Sequence, residues 1–368
     1  MIDVIARKII FDIKPYVPGK PIEEVERELG IKDIIKMASN ENPFGPSPKA
    51  LEAMKEALPK IHLYPDGNCF YLREALALKL GVEIDNLIVG NGSDEILKLL
   101  AETFLEPGDE IIIAQPSFSE YEFVGKIMGA ACIFVPLKDF THDLEAMCRA
   151  VTDKTKMVFI CNPNNPTGTI VKKAEVEAFL KDLEPQVLVV FDEAYYEYVT
   201  DEQYPESLDY VGEGQNVITL RTFSKIYGIA GQRIGYGIAK PRLISALNRV
   251  REPFNVNTLA QVGALAALGD DGHVAKSRRG NTEGYEYLTG WFKEKGLFFV
   301  SSQANFIFLE VKVDSQKLFR EMLKEGIIVR TGDIFDYPQF IRVTIGTMEE
   351  NKRFTKTLEK VLSKLKEE

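Results

Sequence analysis

One repeated alternation constrains this chain more than any other feature. Between residues 87 and 239 lie seven short apolar runs: LIVG (87–90), EIIIA (110–114), ACIFVPL (131–137), KMVFIC (156–161), VLVVFD (187–192), VITLR (217–221) and IGYGIA (234–239). A strand wet on one face would alternate apolar and polar residues, and these runs are instead nearly continuous. They are too short for buried helices and fit strands covered on both faces. Segments such as SDEILKLLAETFL and KKAEVEAFLKDL, which lie between them, carry the spacing of amphipathic helices. Such an alternation predicts an α/β fold, a mostly parallel sheet sandwiched by helices. Ligands of such sheets sit beyond the carboxyl ends of the strands, so chemistry is expected in the loops that follow each run.

After LAQVGALAALG the texture changes. A helix-rich stretch to Trp291 is followed by NFIFLEV (305–311), the helical SQKLFREMLKEG, IIVRT (327–331), FIRVTIG (340–346) and a last helix from Met348. This reads as a smaller α+β domain. The expected division is an N-terminal arm with part of the small domain (1–49), a large ligand-binding domain (50–260) and a small C-terminal domain (261–368). A chain of 368 residues is long enough for two cores.

The formal net charge of −10 argues against a general nucleic-acid or acidic-membrane surface. An anionic ligand must then be held by locally placed Arg, Lys and backbone N–H groups. Cys69, Cys132, Cys148 and Cys161 form no CxxC pair, and His62, His142 and His273 are scattered. A metal centre is not expected, and Cys132 and Cys161 read as reduced thiols in buried strands. The opening MIDVIARKIIFDIKPY is interrupted by charges, and no run is long enough to span a bilayer. A cytoplasmic protein is the expectation.

Four strand ends carry suggestive residues. In VGNGSDEILKLL a helix begins near Ser93 just after a glycine turn, which makes a seat for phosphate or an ordinary helix cap. In CNPNNPTG, Asn165 is held between prolines with its amide available to a ligand, or simply in a turn. Asp192 ends the buried run VLVVFD, where an unpaired carboxylate is costly; an ion pair or a protonated ring nitrogen would satisfy it, and Tyr195 follows three residues on. In TFSKIYGIAGQR, Lys225 lies between the donors Thr222, Ser224 and Arg233. A lysine in such surroundings has a lowered pKa and serves as a nucleophile.

Taken together, GSDE, NPTG, D-x-x-Y and S-K followed by an arginine resemble, in that order, the fold-type I pyridoxal-phosphate aminotransferases. The resemblance implies that Lys225 bonds the cofactor covalently and then moves the proton at the substrate Cα. It implies that Asp192 pairs with the ring nitrogen, and that Asn165 and Tyr195 bind the phenolic oxygen. Ser93 and Asp94 through backbone, with Thr222, Ser224 and Arg233, would hold the cofactor phosphate. Phe118 of QPSFSEY would stack on the ring, at a position where relatives often carry Tyr. Tyr64 of LYPDG would reach the phosphate of a neighbouring subunit, in a homodimer with shared sites. Arg342 of FIRVTIGT matches the arginine that binds the substrate α-carboxylate, and Arg330 of IIVRTG offers a second anion site.

Within that family, KPYVPGKP and ASNENPFGPSP resemble the histidinol-phosphate aminotransferases. That implies transfer between L-histidinol phosphate with 2-oxoglutarate and imidazole-acetol phosphate with L-glutamate, with Tyr16, Asn42, Arg330 and Arg342 at the substrate. An aromatic amino-acid aminotransferase and a threonine-phosphate decarboxylase share much of the pattern. A nucleotide-binding α/β protein would need GxGxxG or a P-loop after a strand, and neither occurs where required.

Overall fold

The computed structural model describes residues 5–13, 15, 19–212 and 215–367. A short strand β1 (Ile35–Lys36) precedes a seven-stranded sheet formed by β2 (Leu87–Gly90), β3 (Glu110–Gln115), β4 (Ala131–Pro136), β5 (Thr155–Cys161), β6 (Leu188–Asp192), β7 (Asn216–Thr222) and β8 (Gly235–Ala239). The strand order is β2-β8-β7-β6-β5-β3-β4. The run from β7 to β4 is parallel. Only β8 is reversed, antiparallel to both of its neighbours.

Continuous apolarity has the expected cause. Ile111, Ile113, Met157, Phe159, Leu188 and Val190 pack on one face with helices Ser93–Phe104 and Glu120–Met128. Their alternates Ile112, Val158, Ile160, Val189 and Phe191 pack on the other with helix Lys173–Asp182. Both faces are therefore dry, and each such side chain contributes about 1.5–3 kcal/mol of burial. The edge strand β4 departs from this, with Ala131 and Phe134 exposed and Cys132 only half buried. Cys161, in the central β5, is buried as expected, and all four thiols are free.

The C-terminal part holds β9 (Phe299–Val300), β10 (Phe306–Glu310), β11 (Ile327–Ile328), β12 (Arg330–Thr331) and β13 (Phe340–Thr344). Strands β12-β13-β10-β9 form an antiparallel sheet, and β1 pairs in parallel with β11. The expected single strand 327–331 is thus two, because its first residues pair with the N-terminal segment and its last with β13. Helix Thr258–Leu268, through which residue 260 passes, packs Ala260, Ala264 and Ala267 into the same core as Ala50, Leu72 and Val89. The following helix Asp271–Glu294 carries Leu288 and Phe292 into the C-terminal core. Among the described residues no helix is long and apolar enough to cross a membrane, and no cluster of His, Cys, Asp or Glu is placed to hold a metal ion.

Candidate active site

Parallel register brings the strand-end residues together. Cys161 of β5 lies beside Asp192 of β6, which lies beside Leu220 of β7, two residues before Thr222. Thr222 in turn faces Gly235 of β8, and Gly235 faces Gly90 of β2. A side chain at Gly235 would place its Cβ 2.6 Å from the Ser93 backbone nitrogen, so only glycine lets the helix N-terminus come this close to β8. These loops open on a cavity of about 270 Å³. Its walls include Ser93, Asp94, Phe118, Asn165, Asp192, Tyr195, Thr222, Ser224, Lys225, Arg233, Arg330 and Arg342.

Asp192 is buried, and burial raises its pKa to about 6 even though the Tyr121 hydroxyl pulls the other way. That hydroxyl donates to Oδ2 at 2.7 Å, while Oδ1 has no hydrogen-bond partner among the described residues. A buried carboxylate oxygen left without a donor at a cavity wall calls for a ligand N–H. Tyr121 is itself fixed by stacking on Phe159 (4.7 Å between centroids), and its edge meets Phe118 at 5.6 Å. The aromatic wall and the carboxylate therefore share one support.

Lys225 has its pKa lowered to about 8, first by burial and then by the Arg342 guanidinium, against the opposing charges of Asp94 and Glu41. Its Nζ reaches the Ser39 carbonyl at 3.5 Å and lies 5.6 Å from the centre of the Tyr195 ring. Gly228, three residues on, has φ +70°, and a Cβ there would stand 2.0 Å from the Gly45 carbonyl oxygen. The lysine loop is thus pressed against the N-terminal loop at a contact only glycine permits.

Around the helix N-terminus, Thr222 Oγ1 donates to Ser224 Oγ at 3.0 Å, and Arg233 reaches Ser224 Oγ at 3.4 Å and Asp94 Oδ2 at 2.9 Å. The Asp94 carboxylate is turned to the arginine, which leaves backbone N–H groups and hydroxyls to face an anion. Arg342 donates to Asn165 Oδ1 and to the Ala38 carbonyl. Its neighbour across the strand pair is Arg330.

A family model for aminotransferase class I and II matches residues 32–358. The chain belongs to this family. It is similar to histidinol-phosphate aminotransferase of Moorella thermoacetica, 62% identical over 358 residues that cover 97% of this chain and 93% of that relative. The corresponding protein of Caldicellulosiruptor saccharolyticus is 50% identical over 97% of this chain and 99% of its own length. Among solved structures, histidinol-phosphate aminotransferase from Sinorhizobium meliloti in complex with pyridoxal-5'-phosphate superposes with a TM-score of 0.90 at 27% identity, covering 97% of each chain.

The remaining expected residues of this aminotransferase fall elsewhere. Asn42 does not line the cavity: its amide donates to the Ile226 carbonyl (2.7 Å) and Ser277 Oγ (2.9 Å), and its Oδ1 accepts from the Phe44 N–H. It braces the lysine loop through the Ile226 carbonyl. Tyr64 lies outside the cavity as well, 83% exposed and stacked on Phe254 at 4.9 Å. Tyr16 lies outside the described residues. Residues that the sequence reading passed over are Tyr121, Asn40 and Glu41. Tyr121 had a signal, since QPSFSEY puts a second aromatic three residues after Phe118. For Asn40, two residues before Asn42 in the same loop, turn chemistry favours both asparagines equally.

Proposed function

We propose that this aminotransferase transfers an amino group reversibly between L-histidinol phosphate and 2-oxoglutarate, giving imidazole-acetol phosphate and L-glutamate in histidine biosynthesis. The observation that carries this reading is a pair of anion-binding groups in one cavity. One, Ser93, Thr222, Ser224 and Arg233, comes from the large sheet; the other, Arg330 and Arg342, from the antiparallel sheet. A phosphorylated cofactor acting on a phosphorylated substrate needs two. The relatives at 62% and 50% identity carry the same activity in their names.

Pyridoxal phosphate fits the residues present. Asp192 Oδ1 lacks a donor among the described residues and would take the ring N–H, Phe118 would cover the ring face, and Asn165 and Tyr195 would bind the phenolic oxygen. When bound, the cofactor supplies a ring that takes up the electron pair released at the substrate Cα. The rest is done by this chain. Asp192, as an anion, would keep the ring nitrogen protonated. Lys225 Nζ would hold the cofactor covalently and, once freed, would carry the proton at the substrate Cα, a task suited to a group whose pKa lies near 8. Arg342 orients a carboxylate with a two-pronged guanidinium, and Arg330 receives the second anion of glutamate or the phosphate of histidinol phosphate.

A homodimer working in the cytoplasm completes the proposal. Leu58, Ile61, Leu63, Tyr64 and Tyr71 are all exposed within one short stretch, as at a surface covered by another chain. Tyr64 would then reach the partner's cofactor phosphate. The division into a large cofactor-binding part and a small part bearing Arg330 and Arg342 belongs to the same reading. The test is a comparison of kcat/KM for L-histidinol phosphate, phenylalanine and threonine phosphate with 2-oxoglutarate as acceptor. Preference for histidinol phosphate supports the proposal; preference for phenylalanine, or carbon dioxide released from threonine phosphate without a keto acid, refutes it.

A further inference from the structure

Asn40 sits in the left-handed backbone region (φ +56°) at the junction of three parts of the chain, and every polar group it has is engaged. Its N–H donates to Thr344 Oγ1 at 2.9 Å, and its carbonyl accepts from Asn305 Nδ2 at 3.0 Å. Its Oδ1 accepts from Thr344 Oγ1 at 3.1 Å, and its Nδ2 donates to Tyr195 Oη at 2.9 Å. The Thr344 hydroxyl receives the Asn40 N–H and gives its own proton to Asn40 Oδ1, the acceptor in reach at 3.1 Å. That fixes the amide with its NH₂ toward Tyr195, and the Tyr195 oxygen must accept. The single phenolic proton is then left for another acceptor. Among the described residues the Tyr195 hydroxyl has none, although the side chain is buried and lines the cavity.

We propose that Asn40 is a positioning residue: it holds the Tyr195 hydroxyl as a donor directed into the cavity, toward the cofactor's phenolic oxygen. This rests on the cofactor placement proposed above. Thr344 extends the device, since it lies two residues beyond Arg342 on β13, so the strand carrying the substrate arginine also sets the polarity of the tyrosine. A donor at the phenolic oxygen drains negative charge from beside Lys225 Nζ and lowers the affinity of that nitrogen for a proton. Lys225 is surrounded by Arg342, Arg233, Asp94 and Glu41, and none of these changes in the variants below.

The experiment is a pH titration of the visible absorption of the protein loaded with pyridoxal phosphate, which reports the proton on Lys225. Asn40→Gly removes the amide without straining a positive φ, and Thr344→Val removes the hydroxyl that orients it. Both should raise the midpoint, by roughly twofold to tenfold in proton affinity, in the direction of Tyr195→Phe. Asn40→Gly combined with Tyr195→Phe should match Tyr195→Phe alone, because no hydroxyl remains to orient. An unchanged midpoint in Asn40→Gly and Thr344→Val, or a shift that adds to that of Tyr195→Phe, overturns the proposal. If Asn40→Gly does not fold, Thr344→Val and its combination with Tyr195→Phe decide on the same criteria. Failure to use histidinol phosphate would leave this titration intact, whereas a protein that forms no coloured complex overturns the cofactor placement and the role of Asn40 together.

Discussion

Arg330 and Arg342 are direct cross-strand partners in the antiparallel pair β12–β13, and both line the cavity. Like charges opposite one another weaken a strand pair, so this placement makes physical sense where an anionic ligand offsets the repulsion. The two arginines are not equivalent. Arg342 is buried and hydrogen-bonded to Asn165 and the Ala38 carbonyl, while Arg330 is only half buried.

Separate effects follow from that difference. Arg330→Gln should lower kcat/KM for L-histidinol phosphate by about 30- to 100-fold, the worth of a charge-assisted contact to phosphate, and for phenylalanine by less than about threefold. Arg342→Lys keeps the charge but loses the fork and the hold on Asn165, so it should lower kcat/KM for glutamate on the order of tenfold or more. Steady-state kinetics on the two variants check both.

Asp192 should weaken the cofactor-free protein. Its pKa is raised from 3.8 to about 6, chiefly by burial, so the folded state holds the proton more tightly than the unfolded chain. The resulting stabilisation is present below pH 3.8 and is lost as pH rises through about 6. Above pH 6 the ionised carboxylate therefore costs the cofactor-free protein about 3 kcal/mol. Asp192→Asn should raise its thermal midpoint at pH 8, leave it nearly unchanged at pH 4, and cripple turnover of the loaded enzyme. Melting curves at both pH values, beside an activity assay, decide this.

Capture of the cofactor should follow the ionisation of Lys225. With its pKa lowered to about 8, the reactive neutral amine is scarce at pH 6 and predominant above pH 8. The rate at which the cofactor-free protein turns yellow with pyridoxal phosphate should rise about tenfold per pH unit and then level off near pH 8. Stopped-flow absorbance measures it, and Lys225→Ala should show no borohydride-reducible adduct.

The pair Arg221–Glu193 (2.8 Å) lies behind the site with side chains 3% and 0% exposed, and Arg221 also contacts the half-exposed Glu206 at 3.2 Å. Glu193→Ala strands a buried guanidinium and should cost about 3–5 kcal/mol. Glu206→Ala should cost less than about 1 kcal/mol. Urea unfolding of the cofactor-free variants compares them.

The large sheet was legible because both faces of its central strands are dry, so β3, β5, β6 and β7 each announce themselves as an unbroken apolar run. The reversal of β8 was not, since IGYGIA reads the same in either direction, and its glycines serve the helix N-terminus packed against them. Strand β1 was illegible for another reason: IK gains its strand geometry only from pairing with Ile327 and Ile328. In the site, Lys225, Asp192 and Thr222 could be placed because each follows directly from the end of a strand. Asn40 was missed beside Asn42 because two asparagines in one loop differ only in what tertiary contacts they meet. Asn40 meets Tyr195 and Thr344, and Asn42 meets Ile226 and Ser277.

The central claim is that the cavity moves an amino group from histidinol phosphate to a keto acid by way of pyridoxal phosphate, with Lys225 moving the proton at the substrate Cα. The most direct measurement is the half-reaction on the loaded protein, followed by absorbance without a second substrate. L-Histidinol phosphate should bleach the yellow chromophore saturably, releasing one equivalent of imidazole-acetol phosphate per site, and 2-oxoglutarate should restore the colour with formation of glutamate. A chromophore that L-histidinol phosphate leaves unchanged at saturating concentration would contradict the account.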